Sequence, residues 1–522
     1  MATAAPPVSP AIPEEDVVAS LPRNSLSSLL AFLIPVAVAL VSTPYIVYGL
    51  GEERFGIYMV TLSLVSFGGL LDLGFATAAV RFVAEARARG DAGQLSSVIN
   101  STLLSRLPLL AVLLLFGVPL APFLVDRVLA ISGPLRLDAV FVLRVALASL
   151  GLSMLGGTLA ALPRAAQRYD LSSRLGLVFG LLLTGLTVVV LALGGGLRQI
   201  AVVELALTVA QLMVAWYVAR HVMPAWRPAW GLDPARLRSI AAFGAFVALN
   251  SVTAIIFIHV NRLLVARLLG VAAVTFFVVP WSLSSRISQV VASLTEAISP
   301  VASALAVSAE KDRLRELCRA GVRLSFAIAG TLGLVVALGA ADLLSLWMGP
   351  RFAAESAPLL RLLAVMGCLQ ALTAIPYFVL NGVGRSAAAN VPVVVGALLS
   401  FPVSLFLLRR VGLEGIGWGL VLAVLVQLMF LFPALGRAVP GGNPWSASRL
   451  GTAVAAFAIG LGGGLLVNGW MSPGASRLAV VCLVGPVLFH GALLALSFYE
   501  RSDLERIRRS FLRLRGARLE AA

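Results

Sequence analysis

Long apolar stretches follow one another along this chain almost without pause, each closed within a few residues by arginine, glycine or proline. A helix needs about 20 mostly apolar residues to cross a bilayer. In hydrocarbon every backbone N–H and C=O must be paired within the segment, which leaves helices as the natural solution for such runs. The pattern predicts about fourteen spans, at 26–48, 56–80, 99–124, 139–162, 172–195, 199–219, 239–261, 271–297, 322–346, 357–380, 388–408, 413–435, 449–471 and 478–499. The expected fold class is an all-α polytopic membrane protein.

Composition agrees, with 59% hydrophobic and 12% charged residues and a mean hydropathy of +0.97. Of 522 residues, no stretch outside the spans is long enough for a soluble catalytic domain. Residues 1–24, rich in Ala and Pro and carrying Glu14, Glu15 and Asp16, read as a disordered cytoplasmic tail without a cleavable leader pattern. The net charge of +16 comes from arginine and the single Lys311. With an even number of spans and the N-terminus inside, and with arginines near span ends counted with the adjacent loop, 26 of the 40 basic residues fall on the inner side and 12 on the outer, and Arg106 and Arg286 lie deeper within spans. That bias places both termini in the cytoplasm and explains the charge without nucleic acid. Cys318, Cys368 and Cys482 are too scattered for a disulfide framework or a zinc site.

The main inner loops are 81–98, 163–170, 220–238 and 300–321, the last expected to be a short amphipathic connector. From Glu500 onward, Leu504, Ile507, Phe511 and Leu514 share one helical face among Arg506, Arg508, Arg509, Arg513 and Arg515. Such a basic amphipathic helix suits an anionic leaflet.

A faint internal repeat runs through the chain. Gly51–Tyr58 matches Gly270–Phe277 at a distance of 219 residues, and Gly196-Leu197-Arg198 matches Gly412-Leu413-Glu414 at 216, the distance that also brings Gln211 onto Gln427. The expected organisation is an N-lobe at 25–220, a cytoplasmic linker at 221–238, a C-lobe at 239–436, two further spans at 437–499 and a basic tail at 500–522. Two six-helix lobes related by repetition are a transporter arrangement, with the site between them.

Several chemistries lack their motifs. There is no Gly-Lys-Ser/Thr phosphate loop, no Asp-x-Asp pair and no Gly-x-Ser-x-Gly elbow. His221, His259 and His490 lack metal-ligand spacing. Neither cofactor nor metal is expected. Gly462-Gly463-Gly464 is read as close helix packing.

The strongest positive signal lies in the eighth span. Ser282, Arg286, Gln289, Ser293 and Glu296 recur every three or four residues and so share one stripe. An arginine near mid-membrane costs about 2.5–3.5 kcal/mol, so the stripe should face a wet cavity or partner helices. Weaker companions are Arg106 in the third span, Glu204, Thr208 and Gln211 in the sixth, and Asn250 and Asn261 on one face of the seventh with His259 and Arg262 on another. Asp72, Glu204 and Glu296 are the carboxylates available for ion coupling. Prolines 35, 108, 280, 376, 392 and 402 lie in or near spans, where they bend helices.

The first hairpin reads Pro44-Tyr45, Leu50-Gly51-Glu52-Glu53-Arg54-Phe55-Gly56-Ile57-Tyr58, Leu71-Asp72-Leu73-Gly74-Phe75 and Arg81. Further on come Asn261–Gly270, Leu346-Trp347-Met348-Gly349-Pro350-Arg351-Phe352, Leu380–Arg385 and Gly412–Gly419. Over residues 24–435 this order of motifs resembles the polysaccharide-biosynthesis flippases, the O-antigen and exopolysaccharide translocases of the multidrug/oligosaccharidyl-lipid/polysaccharide exporter superfamily. The resemblance implies alternating access that turns a polyprenyl-pyrophosphate-linked oligosaccharide from the inner to the outer leaflet of the bacterial cytoplasmic membrane. It also implies a cationic cavity, for which Arg106, Arg262 and Arg286 are the candidates, and a working association with glycosyltransferases and a polysaccharide polymerase. Many relatives carry Asp where this chain has Asn261, a departure that removes an ion-coupling carboxylate from that position. The competing readings are a lipid II flippase, a multidrug exporter of the same superfamily, and a membrane-embedded glycosyltransferase, whose outward loops would need to be longer.

Overall fold

The computed structural model describes residues 34–68, 74–242, 256–295, 298–308, 310–443 and 445–500. Among them every regular element is helical. The chain opens with α1 (Ile34–Leu50), followed by α2 (Glu52–Gly68) and α3 (Phe75–Ala88). Next come α4 (Ala92–Leu129), α5 (Leu135–Ala165), α6 (Tyr169–Ala192) and α7 (Leu197–Val222). After the linker come α8 (Asn261–Leu269), α9 (Val271–Thr295), α10 (Ile298–Val307), α11 (Lys311–Leu338), α12 (Ala340–Met348), α13 (Pro350–Gly382), α14 (Ser386–Val411) and α15 (Glu414–Ala438). Two helices close the described chain, α16 (Ala447–Trp470) and α17 (Ala475–Ala495).

Eleven described helices are long and apolar enough to cross a membrane, or twelve if the bent pair α1 and α2, which meet at 115°, counts as one span. The expected fourteen are not reached among the described residues. The seventh expected span falls mostly in 243–255, outside them, as do Asp72, Asn250, Glu296 and the tails at 1–24 and 501–522.

Two local expectations are corrected. The connector expected at 300–321 is helical: α10 ends at Val307 and α11 starts at Lys311. Leu314 and Cys318 turn inward there, while Arg313 pairs with Glu310 and Arg315 with Asp312 on the exposed face. The ninth span, expected as one piece at 322–346, breaks at Gly339 into α11 and α12. In α4 the break is at Ser105. Pro108 has no N–H to offer the carbonyl of Leu104, so the first segment stops there.

The repeat is sharper in the backbone than in the sequence. Left-handed residues close matching turns at Gly51 and Gly270, Gly133 and Gly349, Gly194 and Gly412, and Gln167 and Gly384, separated by 219, 216, 218 and 217 residues. Gly196, the expected partner of Gly412, is instead extended. Packing repeats as well: α2 lies on α5 and α5 on α7, as α9 lies on α13 and α13 on α15. α16 and α17 pack on each other and on α11. Gly463 and Gly464 permit this: an added Cβ would lie 2.0 Å from Leu488 Cδ1 and 2.2 Å from Leu338 Cδ1 respectively.

The two bundles meet at one end only in their described cores. There, a single apolar cluster takes Ile57, Val60, Leu143 and Leu197 from the first bundle and Val274, Phe277, Leu360 and Leu420 from the second. Gly56 lets α2 and α9 approach until a Cβ would sit 1.9 Å from the Val271 carbonyl oxygen. The Thr275 hydroxyl donates to the Glu52 carbonyl at 2.6 Å, Trp347 Nε1 to the Leu40 carbonyl at 2.6 Å, and Tyr48 to the Met348 carbonyl. At the opposite end each bundle keeps its own core, built on Phe75, Ile99 and Trp226 in the first and on Leu314, Val322 and Ile375 in the second. The bundles are thus joined at the end holding residues 50–56 and 267–275 and have separate cores at the end holding the loops at 89–91, 166–168 and 383–385.

Candidate functional site

The second bundle encloses a cavity of about 490 Å³. α9 supplies Trp281, Ser285, Ser288 and Gln289; α13 supplies Gln370, Thr373, Tyr377 and Phe378; Asn390 comes from α14 and Gln427 from α15. Ser285 to Gln289 lie 14 to 18 residues from Val271, or about 21–27 Å along the axis at 1.5 Å per residue. On α9 the cavity runs from Trp281, near the middle of the helix, to Ala292, and so extends toward the end where the bundles have separate cores.

None of the described residues that line it is charged. The Ser285 and Ser288 hydroxyls donate back to the carbonyls of Ser282 and Ser285, both at 3.1 Å, which leaves their oxygens as acceptors. Gln370 Nε2 donates to Thr373 Oγ1 at 3.0 Å, and the Tyr377 hydroxyl to Asn390 Oδ1 at 3.2 Å. Asn390 is itself held by a bond from Nδ2 to the Ser386 carbonyl at 2.8 Å. Gln427 is 1% exposed, and its Oε1 is buried without a hydrogen-bond partner.

Arg286 is half-buried beside this cavity, and its guanidinium donates to Gln289 Oε1 at 2.8 Å. The pair fixes a positive charge to the cavity wall through an amide that lines it. The other stripe members diverge: Ser282 turns to the Val279 carbonyl at 2.7 Å, and Ser293, exposed, to Val290 at 2.8 Å.

The three candidate arginines are not brought together. Arg106 is fully enclosed, at 0% exposure, with its guanidinium 4.5 Å from the Phe75 ring centroid. In this conformation it faces no water. Arg262 sits half-buried in the first turn of α8, and its Nε is buried without a partner, as is Nδ1 of His259 one turn before it. Asn261 is buried, at 1% exposure. Glu204 lies beside the Tyr58 side chain, and Tyr58 lines a separate cavity of about 430 Å³ between α1, α2 and α6.

Sequence reasoning missed most of the cavity. Gln370, Thr373 and Tyr377 follow the same three-to-four-residue spacing as the α9 stripe and could have been read as a second one facing it. Asn390 and Gln427 each stand singly in an apolar stretch of α14 and α15, and only the packing of four helices makes them neighbours.

Two helical bundles joined at one end, the second enclosing an uncharged cavity lined by apolar surface with a few hydroxyls and amides, fit a transporter fold. The polysaccharide biosynthesis protein family matches residues 21–306, and the chain belongs to that family. It is 21% identical over 373 residues to a Shigella flexneri protein named as an O-antigen transporter, covering 70% of this chain and 86% of that one. It is 25% identical over 348 residues to the Bacillus subtilis membrane protein EpsK, covering 65% and 67%. Its fold is similar to lipid II flippase MurJ in an inward closed conformation, with a TM-score of 0.69 at 10% identity over 89% of this chain and 97% of that one. It is also similar to an inward-facing multidrug-resistance MATE transporter, with a TM-score of 0.67 at 16% identity over 78% and 98%. The chain is a multi-pass membrane transporter with a flippase fold.

Proposed function

We propose that this protein carries a polyprenyl-pyrophosphate-linked oligosaccharide from the inner to the outer leaflet of the bacterial cytoplasmic membrane by alternating access. The sugar-pyrophosphate head cannot enter hydrocarbon unaided, whereas the polyprenyl tail can stay in lipid throughout. The carrying observation is Arg286, a half-buried cation in the second half of α9 that is hydrogen-bonded to the cavity-lining Gln289. An arginine at that depth is costly and is suited to an anion passing beside it.

The excess of arginine on the end where the bundles have separate cores supports a cytoplasmic position for that end. That is the side on which lipid-linked sugars are made. The two lobes follow the boundaries 25–220 and 239–436, with 221–238 as linker and 437–499 as an added helix pair. Arg106, enclosed here, and Arg262 are contacts for other stages of the cycle, together with Ser282, Ser293, Asn250 and Asn261. Asp72, Glu204 and Glu296 are the carboxylates for a driving ion, with Glu204 beside Tyr58. The tail at 501–522 rests on the anionic inner leaflet, and glycosyltransferases and a polymerase act before and after the transfer.

The test is surface polysaccharide in cells that depend on this chain. Arg286→Ala should abolish display while membrane levels stay normal, and Arg286→Lys should retain part of it. Normal display in Arg286→Ala would overturn the assignment. Rescue of cells depleted of their lipid II flippase, without rescue of polysaccharide export, would move the substrate to the peptidoglycan precursor.

A further inference from the structure

The cavity beside Arg286 has the wrong chemistry for the pyrophosphate itself. Its polar lining is made of hydroxyls and amides, without a charge among the described residues. A phosphate would be bound there without a counter-charge, whereas a sugar ring would find a match. Each sugar hydroxyl is both donor and acceptor. Gln370, Asn390 and Gln427 are the side chains that answer with both.

The buried oxygen of Gln427 points to a missing partner. Buried acceptors are nearly always satisfied because an orphan is costly, yet Gln427, a lining residue, keeps its Oε1 enclosed and without a donor, so a ligand reaches that oxygen once the side chain turns toward the cavity. Its side chain lies close against α14: a Cβ on Gly396 would come 2.8 Å from Gln427 Cγ and 3.1 Å from its Nε2. Trp281, Tyr377 and Phe378 add aromatic surface for the apolar C–H face of a ring. About 490 Å³ lies within the range of small-molecule sites.

We propose that this cavity is a sugar subsite, which holds uncharged sugar residues of the cargo while Arg286 at its wall takes the anionic linkage. The assignment rests on the flippase reading above and divides the cargo head between two neighbouring places. Discrimination between sugars then resides in Gln370, Tyr377, Asn390 and Gln427, and retention of the pyrophosphate in Arg286.

The experiment is calorimetric titration of the full chain in detergent micelles. The probes are farnesyl pyrophosphate and its derivatives carrying one hexose, one 6-deoxyhexose or one N-acetylhexosamine. At least one sugar-bearing probe should bind about tenfold more tightly than the bare one. Gln427→Leu and Tyr377→Phe should each reduce that advantage to about threefold or less and leave the bare probe's affinity unchanged. Gln427→Leu removes an unsatisfied buried atom, so it should fold at least as stably as the parent; Tyr377→Phe deletes a single hydroxyl. Arg286→Gln should weaken all probes alike. If no sugar-bearing probe outbinds the bare one, or if the two variants weaken the bare probe equally, the subsite is overturned and the flippase reading stands. If the sugar advantage survives in Arg286→Gln and no probe weakens, the anion role fails and the subsite stands.

Discussion

Arg477 grips Asp342 with two nitrogens, Nε at 2.6 Å and Nη2 at 2.7 Å, and so ties α17 to α12. Asp342 also accepts from the Gly474 backbone N–H at 3.0 Å. With side chains only 3% and 13% exposed, the pair depends on each partner being present. Breaking a buried pair from one side costs about 3–5 kcal/mol, because the remaining charge is stranded. Asp342→Asn should lower the detergent-solubilised melting temperature, with a loss of about 3 kcal/mol. The double change Asp342→Leu with Arg477→Met should recover most of it, as measured by thermal unfolding.

Gly56 is where α2 meets the start of α9, and a Cβ there would collide with the Val271 backbone. Gly56→Val should push the bundles apart at that end and stop transport without affecting insertion. Thr275 is fully buried in the same contact. In a background lacking the native cysteines, Thr275→Cys should resist a membrane-impermeant maleimide, and adding Gly56→Val should make it react. Protection that persists in the double variant would mean the contact tolerates a side chain.

Gln167 stands in a left-handed turn, with φ 62°, where the repeat-related position holds Gly384. A side chain in that conformation costs about 1–2 kcal/mol, and glycine returns part of this through its freer unfolded chain. Gln167→Gly should therefore be neutral or stabilising by up to about 1 kcal/mol. Gly384→Gln should cost a similar amount in the opposite direction, read from the same melting curves.

The linker is sewn to the first bundle through Asn100. Trp226 Nε1 donates to Asn100 Oδ1 at 2.8 Å, and Asn100 Nδ2 donates to the Arg227 carbonyl at 2.9 Å. Trp226 is 1% exposed, so Asn100→Leu leaves its indole N–H buried and unpaired. The expected cost is about 2 kcal/mol. Amide exchange over residues 223–233 should quicken markedly, while exchange in α13 stays as it was.

The spacing of apolar runs was enough to locate α4 to α7, α9, α11 and α13 to α17, because lipid offers the backbone no partner and a helix is the local answer to that demand. The hairpin glycines Gly51 and Gly270 were legible for an equally local reason: a tight reversal after a helix favours a left-handed residue. The stripe through Arg286 and Gln289 was visible as a period, and the structure keeps these two in contact.

Which way each polar face turns was decided elsewhere. Arg106 and Arg286 look alike in sequence, as single cations in apolar spans. Only packing shows that one is closed over by Phe75 while the other borders a cavity. Gln370, Tyr377, Asn390 and Gln427 lie up to 57 residues apart on three helices, and no local rule relates them. In hydrocarbon, burial in lipid and burial in protein are nearly equal for an apolar side chain, so hydropathy determines that a segment spans but carries little about its neighbours. The sequence by itself settled the helices and their reversals, which depend on backbone satisfaction. Tertiary structure alone decided the cavity and the end at which the bundles join, because both depend on close fit between helices distant in the chain.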